Sequence, residues 1–406
     1  MNESFCFIDL GSIAADDVGG RRAYLLGGTF LSAPERVAWR SGGCGVDGCS
    51  VSSRGLSNEL GEVLGRIADL VVEPKSPHSD YARRFAASQR AFEQSESPIA
   101  RNARALIFGA SCRYGGPPPE GSPAFADLET MRDRAFVPSA ATLVVVGDVA
   151  EERVRIEASE KFGKWVGPEA PPRPSVALAP LPAGPRIVLV VNRAIGQVWG
   201  VVAARGPAVD DRDFAAFVVL THLLGGRQDS TLFHHVREDL GAAYSVAGSL
   251  DWYKGLSVMS LTASFDRQDA ITGVRALLDA IGTVQVADPP PDVVERARAS
   301  AVAGARLQAT TDEGIAATLA GAVPLGLRGD FFLREWPELL ASVSAAQVGA
   351  VARRYLRPEG LRVVLMGKQE YVRGAQSLGL GDPVWTDAFG RPLPASSPTG
   401  TKRPGG

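Results

Sequence analysis

The chain has 406 residues, a formal net charge of −2 at pH 7 and a hydrophobic content of 45%. These values are typical of a globular protein with enough core for two or more packed domains. Because acidic and basic residues nearly balance, the composition does not support nucleic acid or an anionic membrane as a partner. No apolar run is long enough to span a bilayer. The sequence shows no secretory signal, which favours the cytoplasm, whereas a true start upstream of Met1 would leave the periplasm or envelope open.

Four cysteines occur, at Cys6, Cys44, Cys49 and Cys112. Cys44 and Cys49 are too far apart for a Cys-x-x-Cys knuckle, and no histidine pair follows at the spacing of a zinc finger. The pattern therefore predicts buried or partly buried thiols and no metal site.

A proline-rich segment, residues 167–185, divides the chain into two halves of similar size. Proline at this density prevents helices and central strands and favours an extended connector. The predicted domains are residues 1–166 and 186–385, joined by the linker 167–185. Residues 386–406 are predicted to form a disordered Pro/Gly-rich tail.

The two halves repeat each other in sequence. Tyr24–Gly28 (YLLGG) in the first half matches His222–Gly226 (HLLGG) in the second. Near the end of each half, a proline precedes an apolar run that ends in glycine, at Pro138–Gly147 and Pro358–Gly367. Two matches in the same order indicate duplicated domains.

Each half combines strands and helices. Leu143–Val146 is an apolar run that predicts a buried strand. The amphipathic helix expected after it carries Val154, Ala158, Phe162 and Trp165 on one face. The sequence therefore predicts an α+β fold of two tandem homologous α/β-sandwich domains, with largely antiparallel sheets and helices packed on one face.

Several segments resemble, in order, the insulinase-type family of zinc metallopeptidases, which includes pitrilysin and the mitochondrial processing peptidase. Residues 143–165 resemble the strand, Gly-Asp turn and helix that end the family's first domain. Residues 223–245 resemble its second-domain segment, in which a glycine pair precedes a helix ending in Arg-Glu and then Gly-x-x-Tyr. Residues 292–311 and 346–367 match later segments. The resemblance implies a LuxS/metallopeptidase-like fold.

The family's active site requires His-x-x-Glu-His on a helix, because two histidines on one face bind zinc and the glutamate acts as general base. A lead-in that resembles the family's, at residues 11–19, places this motif on Tyr24–Gly28. Tyr24, Gly27 and Gly28 then stand where the two histidine ligands and the base belong.

The family's third zinc ligand, a glutamate, falls near Gln89 or Arg90 in this register. Glu93 is close, but a shift of register cannot restore the histidines. The resemblance therefore implies that this chain binds no cofactor, with the positions of Tyr24, Gly27, Gly28 and Arg90 vacated. Zinc is expected on a partner subunit instead.

The histidines offer few alternatives for a metal. His78 is predicted to lie in a loop, and His222 on an apolar helix stripe, where a core histidine is the favoured interpretation. His235, Glu238 and Asp239 are predicted to share a helix face and resemble half a metal site. One imidazole with two carboxylates is also an ordinary solvated surface, which is the favoured interpretation.

Arg237 and Tyr244 lie seven positions apart, across Glu238–Gly241. They match the family's arginine/tyrosine pair, which reaches from the second domain to the scissile carbonyl. The resemblance implies that they bind substrate and the developing oxyanion, a task suited to fixed charged and hydroxyl donors. Apart from the resemblance, the same residues would form a surface Arg-Glu pair and a tyrosine packed at a strand start.

The resemblance thus implies a non-catalytic, substrate-binding subunit of a heterodimeric zinc endopeptidase, inactive alone. Its expected partner is a zinc-bearing His-x-x-Glu-His subunit of the same family, and its expected substrate is a peptide or unfolded polypeptide. The alternative is a peptidase-derived scaffold or peptide-binding protein without protease activity. An active peptidase with an unrecognised site is disfavoured by the vacant ligand positions.

Overall fold

The protein is described by a computed structural model that covers most of the chain. The described residues are 3–9, 21–31, 40–44, 47–72, 78–92, 97–109, 112, 114–115, 124–170, 180–226 and 230–394.

The elements of the first half form one sheet with helices around it. In chain order they are β1 (Glu3–Asp9), α1 (Arg21–Leu26), β2 (Arg40–Cys44), β3 (Cys49–Leu56), α2 (Leu60–Val71), α3 (His78–Phe92), α4 (Pro98–Phe108), α5 (Phe125–Ala135), β4 (Thr142–Gly147) and α6 (Glu151–Phe162). Helix α2 shows why these residues form amphipathic helices. Leu60, Leu64, Ile67 and Val71 recur at helical spacing, and all four are buried.

The second half contains a larger sheet and a longer run of helices. Its elements are β5 (Ile187–Val191), β6 (Val198–Gly206), α7 (Phe214–Gly225), β7 (Ala243–Tyr253), β8 (Leu256–Phe265), α8 (Ala270–Val286), α9 (Pro291–Gln308), α10 (Asp312–Leu325), α11 (Phe331–Arg334), α12 (Trp336–Ala341), α13 (Ala345–Tyr355), β9 (Arg362–Gly367), α14 (Gln369–Val372) and β10 (Val384–Thr386). Side chains cap two of these helices: Thr311 accepts the N–H of Gly314 at 3.0 Å, and Ser344 forms a capping box with Gln347.

The strand order confirms the internal repeat. The first sheet has the order β2-β3-β1-β4 and is antiparallel throughout. The second has the order β10-β5-β9-β6-β8-β7, in which only the β10–β5 and β5–β9 pairs are parallel. Its strands β7-β8-β6-β9 reproduce the chain order and pairing of β2-β3-β1-β4. The predicted α+β class and largely antiparallel sheets are therefore confirmed.

The second sheet is covered on both faces. Ile187 and Leu189 pack into the cluster formed with α7, α8 and α9, while their neighbour Val188 belongs to a separate cluster. Successive residues of a strand point to opposite faces, so the two clusters lie on opposite sides of the sheet. Helix α4 of the first half supplies the second cluster, with Ile99 and Ile107.

The two halves exchange helices across their boundary. Arg205 of β6 fastens α4 to the second sheet by donating from Nη2 and Nε to the Ile107 carbonyl, at 2.6 and 3.1 Å. This carbonyl lies in the last turn of α4, where helix carbonyls lack intrahelical partners. Burial lowers the pKa of Arg205. In return, α10 of the second half lies against β1 and β4 of the first sheet. The expectation of helices on one face only is thus corrected for the second sheet, because α4 crosses from the first half.

Part of the predicted disordered tail is ordered. Thr386 is buried and donates from Oγ1 to Asn102 Oδ1 at 3.1 Å. Arg101 donates from Nη1 to the Ala388 carbonyl at 3.1 Å. Disorder from residue 386 onward therefore does not hold for residues 386–394, because α4 binds this segment. Of the predicted linker, residues 167–170 and 180–185 form neither helix nor strand, and residues 171–179 lie outside the described part.

Within the described part of the chain, no single helix is both long and apolar enough to cross a membrane. Helices α8 and α9 meet that criterion only as a pair, and they are bent by 110° relative to each other.

Candidate functional site

The helix that carries the vacated ligand positions is short and tightly packed. Helix α1 continues directly into a π-helical segment, Gly27–Leu31. Leu25, Leu26 and Phe30 are buried, and the Phe30 ring lies 5.0 Å from the ring of Tyr81 on α3. The structure therefore brings together the two helices that the register identifies as ligand-bearing, because α3 also carries Gln89 and Arg90.

Gly27 is in close contact with strand β2. A Cβ atom added to Gly27 would lie 2.3 Å from the Cys44 backbone nitrogen and 2.8 Å from the Gly43 carbonyl carbon. In the second half, a Cβ on Gly225 would lie 2.6 Å from the Gly248 nitrogen on β7. The sequence match between the halves therefore reflects the same close approach of a helix to a strand in both sheets.

The residues at the vacated positions do not fit a zinc ion. Tyr24 is half-buried and Arg90 is exposed, and Gly27 has no room for a side chain. Zinc sites are built from imidazole, thiolate and carboxylate ligands, none of which this set supplies. No group of three or more His, Cys, Asp or Glu residues that could hold a metal occurs in the described ranges. Residues 11–19 and Glu93 lie outside these ranges.

Two cysteines near this helix differ from the prediction of thiols. Cys44 and Cys49 stand directly opposite each other in the β2–β3 pairing and form a disulfide, with their Cα atoms 3.9 Å apart. The strand register places the two residues face to face, and the spacing of the cysteines in the sequence does not reveal that register. Cys112 is a free, half-buried thiol. The side chain of Cys6 lies outside the described part.

Glu238 has a histidine partner that the sequence analysis did not name. His234, not His235, pairs with Glu238, through Nδ1 and Oε2. The two are four residues apart and therefore neighbours on the helix surface. The side chain of Asp239 is outside the described part, as is that of His78. His222 Nδ1 and Ser300 Oγ form a hydrogen bond of 3.2 Å, as expected for a histidine satisfied near the core.

Arg237 and Tyr244 lie on either side of one tight turn. Arg237 is exposed in the π-helical segment Phe233–Asp239, and its guanidinium carbon lies 4.9 Å from the Phe233 ring centroid. This cation–π contact restrains an otherwise flexible side chain. Its neighbour Glu238 is paired with His234.

Tyr244 is the second residue of strand β7 and lies at the register shift between Ala243 and Ser245, and 57% of its surface is exposed. Gly241 makes the turn from the helix with a φ of +60°, which favours glycine. The Ala242 N–H closes the turn on the Val236 carbonyl at 3.0 Å. The turn thus presents an arginine and a tyrosine, both hydrogen-bond donors, to solvent.

Tyr244 also lines a shallow polar pocket of about 340 Å³ together with Asp266, Gln268 and Asp269. Strand β7 is an edge of the second sheet, and side chains along it are largely exposed. An edge strand with free backbone groups can pair with an extended polypeptide. The surface around Tyr244 can therefore contact a peptide through the strand edge, the phenol and the guanidinium.

Comparison with known proteins supports the resemblance to insulinase-type peptidases. Residues 125–301, which include Arg237 and Tyr244, match the family model described as the peptidase M16 inactive domain. The chain is 29% identical over 140 residues to uncharacterized zinc proteases of Mycobacterium bovis and Mycobacterium tuberculosis. These matches cover 34% of this chain and 32% of each relative, so the match spans about a third of the relatives' length.

Solved structures share the fold over most of the chain. A protease from Helicobacter pylori superposes with a TM-score of 0.77 at 14% identity, covering 90% of this chain and 94% of that one. A peptidase M16 inactive domain from Pseudomonas fluorescens gives a TM-score of 0.76 at 16% identity, covering 91% and 93%. The fold is thus shared with solved peptidase structures. Residues 125–301 match the insulinase-type, or M16, peptidase family, and the sequence of the chain contains no His-x-x-Glu-His motif.

Proposed function

We propose that this chain is the non-catalytic, substrate-binding subunit of a heterodimeric zinc endopeptidase. The observation that carries the proposal is the exposed pair Arg237 and Tyr244, held on one turn in a chain whose other half offers no zinc ligands at the family's positions. A donor pair without an adjacent metal site is useful when a second subunit supplies that site. The partner would be a family member with an intact His-x-x-Glu-His motif, and zinc would bind there.

The chemistry of the two side chains supports this role. The Arg237 guanidinium and the Tyr244 hydroxyl can both donate hydrogen bonds to a peptide carbonyl oxygen. Such bonds strengthen as negative charge develops on that oxygen, so they stabilise the transition state more than the bound substrate. The contact with Phe233 favours this by restraining the guanidinium before substrate arrives. The substrate would be a peptide or unfolded polypeptide lying along the β7 edge.

The test is reconstitution with a zinc-bearing M16 chain from the same source. Each chain and their mixture are characterised by light scattering after gel filtration, and cleavage of an unstructured, internally quenched peptide is followed. The expected result is a one-to-one complex that cleaves the peptide, with no cleavage by this chain alone. If the two chains form no complex, or if the complex is no more active than the zinc-bearing chain alone, the subunit role is wrong. Binding of the peptide without any cleavage would favour the scaffold or peptide-binding alternative.

The disulfide bears on where the chain acts. Disulfides persist in oxidising compartments and are rare in the reducing cytoplasm. We therefore propose that the Cys44–Cys49 pair is made in the periplasm or envelope rather than in the cytoplasm. Cell fractionation followed by detection of the chain with an antibody tests this, and recovery in the cytoplasmic fraction alone would contradict it.

A further inference from the structure

A second concave site lies in the helical layer of the second half, away from Arg237 and Tyr244. It has a volume of about 400 Å³ and opens between α9 and α10. We call it the α9–α10 pocket. Its lining comes from α7, β7, α9, α10, α11 and α12, and includes Trp252, Gly304, Thr318, Gly321, Phe332 and Trp336.

Three aromatic side chains form one wall of this pocket. The rings of Trp252 and Phe332 are stacked, with centroids 5.1 Å apart and an interplanar angle of 27°. Trp336 meets Phe332 edge-on at 6.1 Å. Phe332 and Trp336 are buried, while Trp252 keeps 37% of its surface exposed at the opening. The wall is therefore apolar, rigid and reachable from solvent.

The opposing helices contribute small residues to the lining, among them Gly304 on α9 and Gly321 on α10. A Cβ atom added to either glycine would meet no atom within 4 Å. Glycine inside a helix weakens it relative to alanine. At these two positions no neighbouring backbone would clash with a side chain, so packing does not require glycine. This contrasts with Gly225, where a strand occupies the space. The two glycines thus leave open a slot whose other side is aromatic.

One polar atom in the lining lacks a partner. Thr318 Oγ1 is buried and makes no hydrogen bond. A buried hydroxyl without a partner is costly, and native structures rarely leave one unless something else satisfies it. A ligand with one suitably placed donor or acceptor would remove this cost.

We propose that the α9–α10 pocket binds a planar aromatic group that carries one hydrogen-bonding atom, of the indole or phenol class. Small-molecule pockets are commonly about 300–1,000 Å³ and mainly apolar with a few polar groups, and this one lies at the small end of that range. The stacked aromatic wall suits a flat ring. The ring can arrive as a free small molecule or as a tryptophan or tyrosine side chain of a polypeptide, because both present the same chemistry.

This site is separate from the one around Tyr244. Trp252 and Tyr244 stand near opposite ends of β7, eight residues apart, which is roughly 27 Å along an extended strand. The proposal therefore does not rest on the peptidase-subunit role, and either can fail without the other.

The test is titration of the full-length chain with free indole and p-cresol and, separately, with N-acetyl-tryptophanamide. Binding is followed by calorimetry and by ligand-observed NMR. Saturable one-to-one binding of at least one of these probes is expected. Tighter binding of the free rings would identify a small molecule as the source, and tighter binding of the amide a polypeptide side chain. If none of the three binds, the proposal is wrong.

Two variants test whether the α9–α10 pocket is the place where the probes bind. Gly321→Leu should fill the slot and weaken binding at least tenfold without lowering the unfolding midpoint, since it replaces a helical glycine facing open space. Gly282→Leu on α8, where an added Cβ also meets nothing within 4 Å, is the matched control and should bind as the wild type does.

Thr318→Val keeps the shape of the side chain and removes its hydroxyl. It should weaken binding of indole and p-cresol about three- to tenfold, the usual effect of one neutral hydrogen bond, and leave binding of toluene unchanged. Wild-type affinity for indole in Gly321→Leu would place any binding elsewhere and overturn the proposal. If Thr318→Val weakened the binding of toluene and p-cresol equally, the hydroxyl would have no role in binding.

Discussion

Gly27 lies directly against Cys44, so that a Cβ atom on residue 27 would stand 2.3 Å from the Cys44 nitrogen. Gly225 meets Gly248 in the same way in the second half, at 2.6 Å. The helix expected to carry zinc ligands in the family is thus packed here like its counterpart in the other half. A side chain at residue 27 and the present position of β2 are mutually exclusive.

A side chain added at Gly27 or Gly225, where each helix contacts a strand, should lower the stability of the protein. Gly27→Ala and Gly225→Ala are expected to lower the free energy of unfolding by about 1–3 kcal/mol, because the added methyl overlaps a strand backbone. The control is Gly282→Ala in α8, which has space for the methyl and should be neutral or stabilising by up to about 1 kcal/mol. Urea unfolding curves measure all three. Equal midpoints for Gly225→Ala and Gly282→Ala would contradict the packing described.

The chain is expected to bind no stoichiometric zinc, because a phenol, an arginine and two glycines offer it no ligand. Elemental mass spectrometry of dialysed protein should find far less than one zinc per chain. Restoring the motif with Tyr24→His, Gly27→Glu and Gly28→His together should reduce soluble, folded protein instead of creating a site, since Gly27 has no room for a side chain. One tightly bound zinc ion per wild-type chain would contradict this prediction.

Arg237→Lys and Tyr244→Phe are expected to lower the rate of peptide cleavage by the assembled complex. Neither should change the chain on its own, which is expected to cleave nothing. Removing one donor to a developing oxyanion typically lowers turnover about a hundred- to a thousandfold. The loss should fall mainly on kcat, because the oxyanion exists only in the transition state. Lysine keeps the charge of Arg237 but loses its forked donors. Steady-state cleavage of the quenched peptide by each reconstituted complex measures the effect.

Matched controls are available elsewhere on the surface. Arg212→Lys changes an arginine whose side chain is 88% exposed, and Tyr371→Phe changes a half-buried tyrosine on α14. Both complexes should cleave at the wild-type rate. If Arg237→Lys and Tyr244→Phe also assemble and cleave normally, the pair has no part in turnover, and the scaffold alternative becomes the better description.

Cutting the linker should not separate the halves. Limited proteolysis is expected to cleave within residues 171–179, near Ala177, and to give two fragments on a denaturing gel. Because α4 packs on the second sheet and α10 on the first, the fragments should still co-elute at the volume of the uncut chain. Urea should be needed to part them. Separation of the fragments in native buffer would show that the exchanged helices do not hold the halves together.

The Cys44–Cys49 disulfide can be detected by mass spectrometry of tryptic peptides. Trypsin should release residues 41–54 as one peptide that contains both cysteines. Without reduction, this peptide should resist alkylation and be two hydrogens lighter than the dithiol, whereas the peptide with Cys112 should be alkylated. Cys44→Ser is the control, because it should make Cys49 reactive. Full alkylation of residues 41–54 in freshly prepared, unreduced protein would contradict the disulfide.

Features that depend on neighbouring residues could be predicted from the sequence. The spacing of Leu60, Leu64, Ile67 and Val71 predicts α2 because a single helix face buries them all. Residues 143–162 predict the strand and helix found at β4 and α6, although β4 is half-buried instead of fully buried. The lack of imidazole and carboxylate at the family's ligand positions is likewise visible in the chain itself.

Other features depend on residues that are distant in the chain, and only the tertiary structure decided them. The sequence shows that Tyr24–Gly28 matches His222–Gly226, but the reason is a strand backbone contacting each helix glycine. Strand register places Cys44 opposite Cys49, and helix crossing places α4 on the second sheet and α10 on the first. Periodicity and residue type report which side of an element is buried, whereas its burial partner is fixed by packing among elements far apart in sequence.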